Sequence, residues 1–267
     1  PKIGKNSKRI MKLRKAMHNR MNSDLILLFG LVLGLVTKPM VVFAACPPLV
    51  AKRDGPCINN VTSWDIFLDY AEKEGGGEVV FCPFSITKNN DQKTAELLFR
   101  THLICPSGEC FIYGPDKHID VRMPSTIQGF TFQNAVKTAV RFFPLTGESY
   151  ICDCTFKSNN AGNLRGGALR VASKVTVENS VFDDNQAKEG GAIYMRPKAF
   201  LTVSNSYFLS NGAKFFGGAI YVYDQATTLV VNKNRFEKNY LYGRANKARG
   251  SAVYLAGSSD NFHTNDG

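Results

Sequence analysis

The chain has 267 residues, 44% of them hydrophobic, which is enough apolar material for a folded core. Its formal net charge of +11 is unevenly distributed: of 33 Lys and Arg and 22 Asp and Glu, nine basic residues and one acidic residue lie in residues 1–44, leaving 24 against 21 elsewhere. This distribution argues against a nucleic-acid-binding domain, because such a domain carries its basic residues on the folded part.

The N-terminal segment has the features of a secretory leader. Residues 2–20 are basic, residues 25–36 form an apolar run, and small residues follow at the positions that signal peptidase reads. We therefore predict a signal peptide over residues 1–44 and a secreted, extracellular or cell-surface protein. The alternative is an uncleaved signal anchor. Lys38 and Pro39 argue against it, because they interrupt the apolar run before the roughly 20 residues that a bilayer requires.

The region after the leader predicts one helix and a strand. Thr62-Ser63-Trp64-Asp65 has the spacing of a helix capping box, and three glycines at 75–77 would end the helix. The apolar residues behind the cap share one helical face: Ile66, Phe67, Tyr70 and Ala71. A strand is predicted over residues 78–82. We predict that residues 45–95 form an N-terminal cap, whose helix covers the open end of the domain that follows.

From residue 96 onward the sequence predicts strands, first irregular and then regularly repeated. Residues 111–114 and 127–132 are the first strand candidates. A Phe-x-x-Asn motif then recurs at intervals of 26, 26, 28 and 26 residues, beginning at Phe156, Phe182, Phe208, Phe236 and Phe262. Phe132 precedes the first copy by 24 residues and is predicted to begin the same row of aromatic rings. Repeats of this length indicate supersecondary units that stack on one another.

A second motif is locked in phase with the first. Two glycines and an alanine precede an aliphatic residue at Gly166, Gly190 and Gly217, and a weaker copy begins at Gly250. Between the motifs the apolar residues alternate, which indicates strands. Paired glycines and asparagines suit tight turns, and Asn side chains one repeat apart can bond in a ladder. We therefore predict an all-β, parallel β-helix, a solenoid of short strands with the helix capping its N-terminal end.

These two motifs resemble those of a known family. Phe-x-x-Asn combined with Gly-Gly-Ala-[Ile/Leu/Val] is similar to the repeats of the polymorphic membrane proteins of bacterial autotransporters. More broadly, it resembles the right-handed β-helix, or pectin-lyase-like, superfamily, and the resemblance covers residues 132–265, about half of the chain. Autotransporters would continue beyond Gly267. We therefore predict a C-terminally truncated right-handed β-helix over residues 96–267, and Pro1 in place of Met predicts an incomplete N-terminus.

All seven cysteines lie between Cys46 and Cys154, ahead of the later repeats. In an exported protein this predicts disulfides that hold the N-terminal end of the solenoid, with Cys105 and Cys110 as a local pair. The odd number leaves a free thiol, for which Cys154 is the candidate because later repeats have Ser in its place. A zinc site is the alternative, disfavoured by export, with these ligands: Cys105, Cys110, Cys152 and Cys154. Asn60 begins a glycosylation sequence, Asn-Val-Thr, that a eukaryotic host would use.

The outward residues of one strand row are the predicted ligand-binding site. If the aliphatic residues that follow each glycine pair point inward, alternation leaves an exposed strip of basic and aromatic side chains: Arg141, Arg170, Tyr194, Tyr221 and Tyr254. Such a strip would stack sugar rings and pair with acidic groups of an extracellular polysaccharide or another cell-wall or surface component. The structural alternative is that Tyr favours strands and stacks on its neighbours.

Candidate catalytic groups are sparse in the repeats. Asp183 and Asp184 are an adjacent acidic pair, but they occupy the variable positions of one Phe-x-x-Asn copy, where a solvated turn is the simpler interpretation. His118 has an acid nearby, Asp120, and alternation would place the two on one strand face. The Asn-Thr-Asp and Gly-His-Gly motifs of polygalacturonase-like hydrolases are absent from the sequence. We therefore predict no catalytic residue, no metal site and no cofactor.

These features predict a secreted or cell-surface β-helix that is not an enzyme and serves as a structural, adhesive or polysaccharide-binding module. We expect no nucleic-acid partner, and we expect membrane contact only if the leader is uncleaved. The alternative function is a polysaccharide lyase or glycoside hydrolase of pectin-lyase-like fold. The sequence leaves the identity of the ligand and the oligomeric state open, because this fold supports both enzymes and scaffolds.

Overall fold

The computed structural model describes Cys46 and residues 56–144, 147–223, 228–244 and 248–256, together with the backbone of residues 262–265. They belong to one compact unit. The predicted leader, residues 1–44, lies outside the described residues. Among those that are described, no helix combines the length and the apolar character needed to span a membrane.

One helix, α1 (Trp64–Ala71), precedes the strands, as predicted. Its N-cap is Ser63, whose Oγ accepts a backbone N–H of the first turn, so the cap lies one residue later than Thr62 of the predicted capping box. Its buried face consists of Trp64, Phe67, Leu68 and Ala71, with Ile66 and Tyr70 only half-buried at the edge. All four predicted residues therefore pack against the core, and Trp64 and Leu68 belong to the same face. Trp64 joins it because the indole N–H donates to the carbonyl of Lys93 at 2.9 Å, which holds the ring inside.

The 25 strands of the described residues, numbered in chain order, form four parallel sheets. Sheet A contains β1 (Gly77–Val80), β4 (Thr101–Ile104), β7 (Thr126–Gln128), β10 (Glu148–Cys152), β13 (Lys174–Glu178), β17 (Phe200–Ser204), β21 (Thr228–Asn232) and β25 (Phe262–Asn265). Sheet B contains β2 (Phe84–Thr87), β5 (Cys110–Tyr113), β8 (Phe130–Gln133), β11 (Thr155–Lys157), β14 (Val181–Asp183), β18 (Tyr207–Leu209) and β22 (Arg235–Glu237). Sheet C contains β3 (Ala95–Leu97), β6 (Ile119–Val121), β9 (Val140–Phe142), β12 (Leu169–Val171), β16 (Ile193–Met195), β20 (Ile220–Val222) and β24 (Val253–Leu255). Sheet D contains β15 (Gln186–Glu189), β19 (Gly212–Phe216) and β23 (Tyr240–Leu241).

Each coil passes through the sheets in the same order. A coil enters sheet A, continues into sheet B and ends in sheet C, and later coils insert a strand of sheet D between B and C. Equivalent residues of successive coils pair in register, as Val177 does with Val203, so their side chains stack along the solenoid. The predicted all-β parallel solenoid is thereby confirmed. Its first coil begins at Gly77, inside the range 45–95 that the sequence assigns to the cap.

Phenylalanine rings stack through the core beneath sheet B. Neighbouring ring centroids lie 5.2, 5.1, 4.7 and 4.7 Å apart along the row Phe132, Phe156, Phe182, Phe208 and Phe236. The predicted aromatic row is therefore confirmed from its first member onward. The fifth copy of Phe-x-x-Asn does not belong to it, because β25 pairs with β21 and places Phe262 opposite Leu229 in sheet A. The prediction for that copy was wrong because β25 follows a strand of sheet C, and the chain always enters sheet A after a strand of sheet C.

Asparagines form a second internal row, at the turn after sheet B. The Asn185 Nδ2 donates to Asn211 Oδ1 and to the Phe156 carbonyl, each at 2.9 Å, and Asn159 and Asn211 repeat the pattern. These three asparagines are fully buried, so the ladder satisfies amide and backbone groups that water does not reach. In this turn the residue before each asparagine has the left-handed backbone conformation, as Asp184 does with φ 52°.

The two glycines of the second motif are required for different reasons. The first, such as Gly190 at φ 62°, adopts a left-handed backbone that disfavours side chains. At the second, such as Gly191, an added Cβ would collide with the carbonyl oxygen of Gly218 on the next coil. The pair therefore permits both the turn into sheet C and the close approach of neighbouring coils.

Three disulfides hold the N-terminal coils: Cys46–Cys152, Cys57–Cys82 and Cys105–Cys110. The predicted local pair is thus confirmed. Cys154 is the free thiol, as predicted, and it lies buried with its N–H donating to the Oγ of Ser180 at 3.2 Å. Burial raises the pKa of this thiol to about 12. The zinc alternative is wrong, because three of its four ligands are consumed in disulfides.

Candidate functional site

One outward row of sheet C contains all five residues predicted to bind a ligand. Strand pairing places seven residues above one another: Glu96, Asp120, Arg141, Arg170, Tyr194, Tyr221 and Tyr254. Their neighbours along the strands, such as Leu169 and Val171, are fully buried in the core. The row therefore has the predicted register, and two acidic residues extend it toward the N-terminus.

The Arg141 end of this row is neutralised. Arg141 donates from Nε and Nη2 to the two carboxylate oxygens of Asp120, at 3.0 and 2.6 Å. Lys117 adds an ion pair of 2.9 Å, and Asp120 is only 1% exposed. The guanidinium of Arg141 also lies 4.2 Å from the centroid of the Phe143 ring. Arg141 is thus committed to contacts within the protein and poorly placed to hold an acidic ligand.

The tyrosine part of the row is not an exposed strip, contrary to the prediction. Tyr194 and Tyr221 are only 2% and 4% exposed. Arg165 covers Tyr194, with its guanidinium 5.1 Å from the ring centroid and Nη1 donating to the phenol oxygen at 3.1 Å. Phe216 stacks on Tyr221 at 5.6 Å and on Tyr254 at 5.0 Å. Burial raises the pKa of both Tyr194 and Tyr221, and neither offers an open face to a sugar ring.

The covering residues form a row of their own. Each directly precedes the first glycine of a second-motif copy, and bridges in register connect Arg165, Glu189, Phe216 and Arg249. Arg165 and Glu189 also form an ion pair at 2.6 Å. Strand alternation predicts which face a residue takes, but not that the preceding segment folds back across that face. A bulky residue before every glycine pair was the signal in the sequence that could have revealed this cover.

Arg170 differs from Arg141, although the two are neighbours in the row. It is half-buried, its guanidinium lies 6.0 Å from the Tyr194 ring centroid, and no carboxylate of the described residues forms an ion pair with it. Burial lowers the pKa of Arg170, and so do the charges of Arg196, Arg141 and Arg165. Three arginines thus lie close enough to influence Arg170, although Arg141 and Arg165 are themselves paired with Asp120 and Glu189.

A cleft opens at the end of β12, the strand that contains Arg170, where the chain turns from sheet C into sheet A. Its volume is about 790 Å³, and we name it the corner cleft, lined by Pro144, Gly147, Glu148, Ala172, Ser173, Lys174, Arg196, Pro197, Lys198 and Phe200. Unequal turn lengths create it. β12 and β13 are separated by Ala172 and Ser173 alone, whereas five residues separate β9 from β10 in the preceding coil and four separate β16 from β17 in the following coil. The short turn therefore leaves a notch between two longer ones.

One edge of the corner cleft consists of residues that begin successive strands of sheet A. Glu148, Lys174 and Phe200 pair in register. The Lys174 Nζ lies 2.8 Å from the Glu148 carboxylate and 5.6 Å from the centroid of the Phe200 ring. Thr176 Oγ1 donates to the same carboxylate at 2.6 Å. Glu148 is therefore already occupied as an acceptor and does not stand as an isolated acid.

The opposite wall is basic. Arg196 and Lys198 are exposed on either side of Pro197. On the floor, Ser173 is 5% exposed, and its hydroxyl has no hydrogen-bond partner within the described part of the protein. Buried polar groups normally have partners, so this hydroxyl is a candidate ligand contact. Together with the ring of Phe200, these groups offer charge, hydrogen bonding and apolar surface in one concave place.

His118 and Asp120 do not form a pair, so the expectation that they share a strand face was wrong. His118 lies in the turn before β6, where the alternation of the strand does not apply. It is fully buried, with Nε2 3.1 Å from the Gly114 carbonyl oxygen and its ring stacked on Phe132 at 5.9 Å. Burial lowers its pKa to about 4. Its position indicates a core residue.

The other sequence candidates lie apart from the corner cleft. Asp183 and Asp184 are half-buried at the turn after sheet B, where Ser158 donates to the Asp184 carboxylate at 3.2 Å. Asn60 is exposed, and its glycosylation stays a prediction. Within the described ranges, no cluster of three or more His, Cys, Asp or Glu side chains is arranged to hold a metal ion.

Comparison with known proteins agrees with the geometry of the coils. The family model described as a right-handed β-helix region matches residues 107–266, more than half of the chain. The chain belongs to the right-handed β-helix family. The matched range of this β-helix protein includes both the corner cleft and Arg170.

Two curated proteins match parts of this β-helix protein. Metabotropic glutamate receptor-like protein R of Dictyostelium discoideum is 24% identical over 63% of the chain and 11% of its own length. Probable outer membrane protein pmp21 of Chlamydia pneumoniae is 27% identical over 42% of the chain and 10% of its own length, which confirms the predicted relation to polymorphic membrane proteins. The chain thus spans about a tenth of these relatives. No solved structure gave a significant match.

Proposed function

We propose that this β-helix protein is a secreted or surface-displayed module, without catalytic activity, that has an adhesive or structural role and binds extracellular polysaccharide. The observation that carries the proposal is the chemistry of the outer row of sheet C and the adjoining corner cleft. Arg170 forms no ion pair with a carboxylate of the described residues, while the acids nearby are occupied: Asp120 by Arg141 and Lys117, and Glu148 by Lys174. Such a surface favours binding over acid–base catalysis, which needs carboxylates poised to exchange protons with a substrate.

A surface or extracellular location is supported by two further features. Three disulfides hold the N-terminal coils, and such bonds persist where the environment is oxidising. The Chlamydia relative is named a probable outer membrane protein, and the Dictyostelium relative a receptor-like protein. Because the chain spans about a tenth of either, these names support a location and not a complete activity.

The proposal is tested by passing the purified protein over immobilised neutral and acidic polysaccharides, with and without calcium. Both retention of the protein and the appearance of new polysaccharide chain ends are measured. We expect retention on at least one polymer and no new ends. Cleavage would overturn the proposal in favour of a polysaccharide lyase or glycoside hydrolase, and the absence of both retention and cleavage would overturn polysaccharide binding.

The reduced and alkylated protein is the control for this experiment. It has the same sequence and nearly the same charge, but it lacks the disulfides that hold the N-terminal coils. Retention by the oxidised protein alone would support binding by the folded surface. Equal retention of both forms would show adsorption by charge and count against the proposal.

A further inference from the structure

We propose that the protein binds the surface of a lipid bilayer through an apolar ridge on its first three coils, at the corner where sheet C turns into sheet A. We name it the corner ridge and define it by four side chains at the tips of successive turns: Leu98, Phe99, Met123 and Phe143. This contact needs no membrane-spanning segment. It goes beyond the function proposed above and does not depend on it.

The corner ridge forms because the turns from sheet C to sheet A stack in register. Leu97 pairs with Val121, each the last residue of its strand, so Phe99 and Met123 occupy the same position in neighbouring turns. Their side chains are 38% and 43% exposed, and Leu98 is 52% exposed. Single exposed apolar residues are ordinary, but neighbouring ones form a patch, and such patches mark binding surfaces.

Phe143 extends the ridge into the third coil. Its N–H donates to the Val121 carbonyl at 3.0 Å, and its half-buried ring lies with the centroid 4.0 Å from the Arg122 guanidinium. That guanidinium is paired with Glu96 at 2.8 Å, so the two charges cancel. Strands lie about 4.8 Å apart, which makes the ridge about 10 Å long. It is a short line of protruding apolar side chains.

The backbone of the ridge suits an environment without water. The Thr101 hydroxyl donates to the Phe99 carbonyl at 3.0 Å. The Ser125 hydroxyl donates to the Met123 carbonyl at 2.8 Å, in the same geometry one coil later. A carbonyl that enters lipid without a hydrogen-bond partner costs free energy. Because internal hydroxyls already bond these two carbonyls, the tips can leave water without that cost.

The charge beside the ridge favours anionic headgroups. Arg100 is exposed next to Phe99, and no carboxylate of the described residues forms an ion pair with it. Asp120, on the strand that leads to the second turn, is paired with Arg141 at 2.6 Å. Basic side chains close to a membrane are attracted to anionic lipids. Arg100 is therefore placed to contact a headgroup while the ridge enters the boundary of the acyl chains.

The area of the ridge favours a bilayer over a protein partner. If a large apolar side chain presents roughly 200 Å² when fully exposed, Leu98, Phe99 and Met123 together offer about 250 Å². Stable protein interfaces bury about 800 Å² on each partner. A second copy of the chain would therefore gain too little area here. A bilayer requires no complementary shape, so a few protruding side chains are enough to engage it.

The test places a tryptophan on the ridge of the full chain and measures whether it enters lipid. The ridge variant is Phe99→Trp, and the control variant is Val136→Trp, at a position that is 53% exposed in a turn after sheet B. Trp64, the only tryptophan of the sequence, is 1% exposed and gives a constant background. Vesicles contain phosphatidylcholine with about one fifth phosphatidylserine, as the anionic lipid. Their acyl chains are brominated or unmodified, because bromine quenches a nearby indole.

We expect brominated lipid to quench the Phe99→Trp fluorescence at least about twofold more than that of Val136→Trp, since only the ridge reaches the acyl boundary. The apolar run at residues 25–36 is common to both variants, so this difference reports the ridge alone. Equal quenching would show adsorption without a preferred face. Equal quenching or no quenching at either position would overturn the proposal.

Further substitutions in the Phe99→Trp protein separate apolar insertion from charge. Leu98→Ser with Met123→Ser should raise the lipid concentration for half-maximal quenching about tenfold, whereas Val136→Ser with Leu164→Ser, which alter exposed apolar residues elsewhere, should leave it unchanged. Arg100→Gln should raise it about fivefold with anionic vesicles and not at all with pure phosphatidylcholine. Equal effects of the two serine pairs would refute the ridge. Thermal unfolding verifies that every variant is folded.

The outcomes also separate a bilayer from other partners and from the proposed function. Sedimentation velocity measures self-association without lipid. Concentration-dependent dimers that Phe99→Ser abolishes, together with an absence of quenching, would assign the ridge to a second copy of the chain and overturn the proposal. Retention on polysaccharide is measured without vesicles, so a failure of the ridge leaves the proposed function standing, and a failure of polysaccharide binding leaves the ridge standing.

Discussion

The coils before Phe156 and the coils after it share one backbone geometry but are stabilised differently. In the later coils identical side chains stack, with Phe rings 4.7 to 5.1 Å apart and Asn amides bonded at 2.9 to 3.0 Å. In the earlier coils the aromatic contacts are mixed, as where Phe81 meets Phe84 and Phe130 edge-on at 5.5 and 5.8 Å. All three disulfides attach to these earlier coils. Stacked rows of identical side chains thus stabilise the later coils, in which each coil repeats the motif of the one before it. The capped N-terminal end depends instead on disulfide bonds and on α1.

The capped end also concentrates buried ionisable groups. The side chain of Lys88 is 0% exposed, and its Nζ donates to the carbonyls of Asn89 and Gln92 at 3.3 and 2.7 Å. Burial lowers the pKa of Lys88, and it also lowers the pKa of the nearby His118. In the later coils the buried acid Glu189 is paired with Arg165, and the other buried polar side chains of the described residues are amides and hydroxyls, which do not titrate. Reduction and acid should therefore act first on the capped end.

Removing the longest disulfide should have the largest effect. Cys46–Cys152 closes a loop of 106 residues and Cys105–Cys110 a loop of 5 residues. Loop-closure entropy then predicts a loss of about 5 kcal/mol for Cys46→Ser with Cys152→Ser, against about 2 kcal/mol for Cys105→Ser with Cys110→Ser. Urea unfolding of the two double variants measures the difference. Equal losses would show that these bonds act by local packing and not by restricting the unfolded chain.

Breaking the aromatic ladder should be nearly as costly. Phe182→Ala leaves a cavity between Phe156 and Phe208, and we expect a loss of about 3 to 5 kcal/mol in the free energy of unfolding. Phe200→Ala is the matched control, since its ring is half-buried at the surface and should cost about 1 kcal/mol. Urea unfolding compares them. Similar losses at the two positions would contradict a ladder that stabilises the later coils.

Acid should weaken the capped end through His118. Its pKa falls from the ordinary 6.5 to about 4 in the folded protein, so the unfolded chain binds the proton more readily between these values. The free energy of unfolding therefore decreases by about 3 kcal/mol as the pH falls from 6.5 to about 4, because each unit of pKa difference corresponds to about 1.36 kcal/mol. His118→Phe should keep the stacking on Phe132 and flatten this part of the profile. Parallel profiles for the variant and the unmodified protein would refute the assignment.

The smallest effect is expected at Cys154, which lies at the boundary between the two regions. Ser180 and Ser206 occupy the equivalent positions of the next coils, so Cys154→Ser should change the free energy of unfolding by less than about 1 kcal/mol. Burial raises the pKa of the thiol to about 12, so it should resist alkylation at pH 8 while the protein is folded. Rapid labelling of the native protein, followed by mass spectrometry, would contradict this placement.

The parts of the fold that depend on repetition could be predicted from the sequence. Phe156 and Phe182 stack because the 26-residue period returns the same residue to the same place in each coil. Cys105 and Cys110 pair because a short turn brings them together. Phe262 shows the limit of this reasoning. It repeats the motif at the right interval, yet it lies in sheet A, because its position follows from the strand that precedes it.

The predicted site was correct in register and incorrect in exposure. Alternation places Arg141, Arg170 and Tyr194 on one outward row, as observed. It does not predict that Asp120 neutralises Arg141 or that Arg165 covers Tyr194, because those contacts come from other coils and from the segment before each glycine pair. The corner cleft was missed for a similar reason, since turn lengths can be compared only after the strand ends are known.

The sequence by itself determined the solenoid, its two internal ladders and the residues that share each row, because a fixed period and strand alternation place side chains without reference to distant contacts. Only the tertiary structure decided which outward residues remain accessible. Arg170 and the corner cleft stay open to solvent, whereas Tyr194 and Tyr221 are buried beneath Arg165 and Phe216. Whether an outward residue is accessible depends on which side chains of the neighbouring coils lie over it. That in turn depends on how the coils pack and on the lengths of their turns.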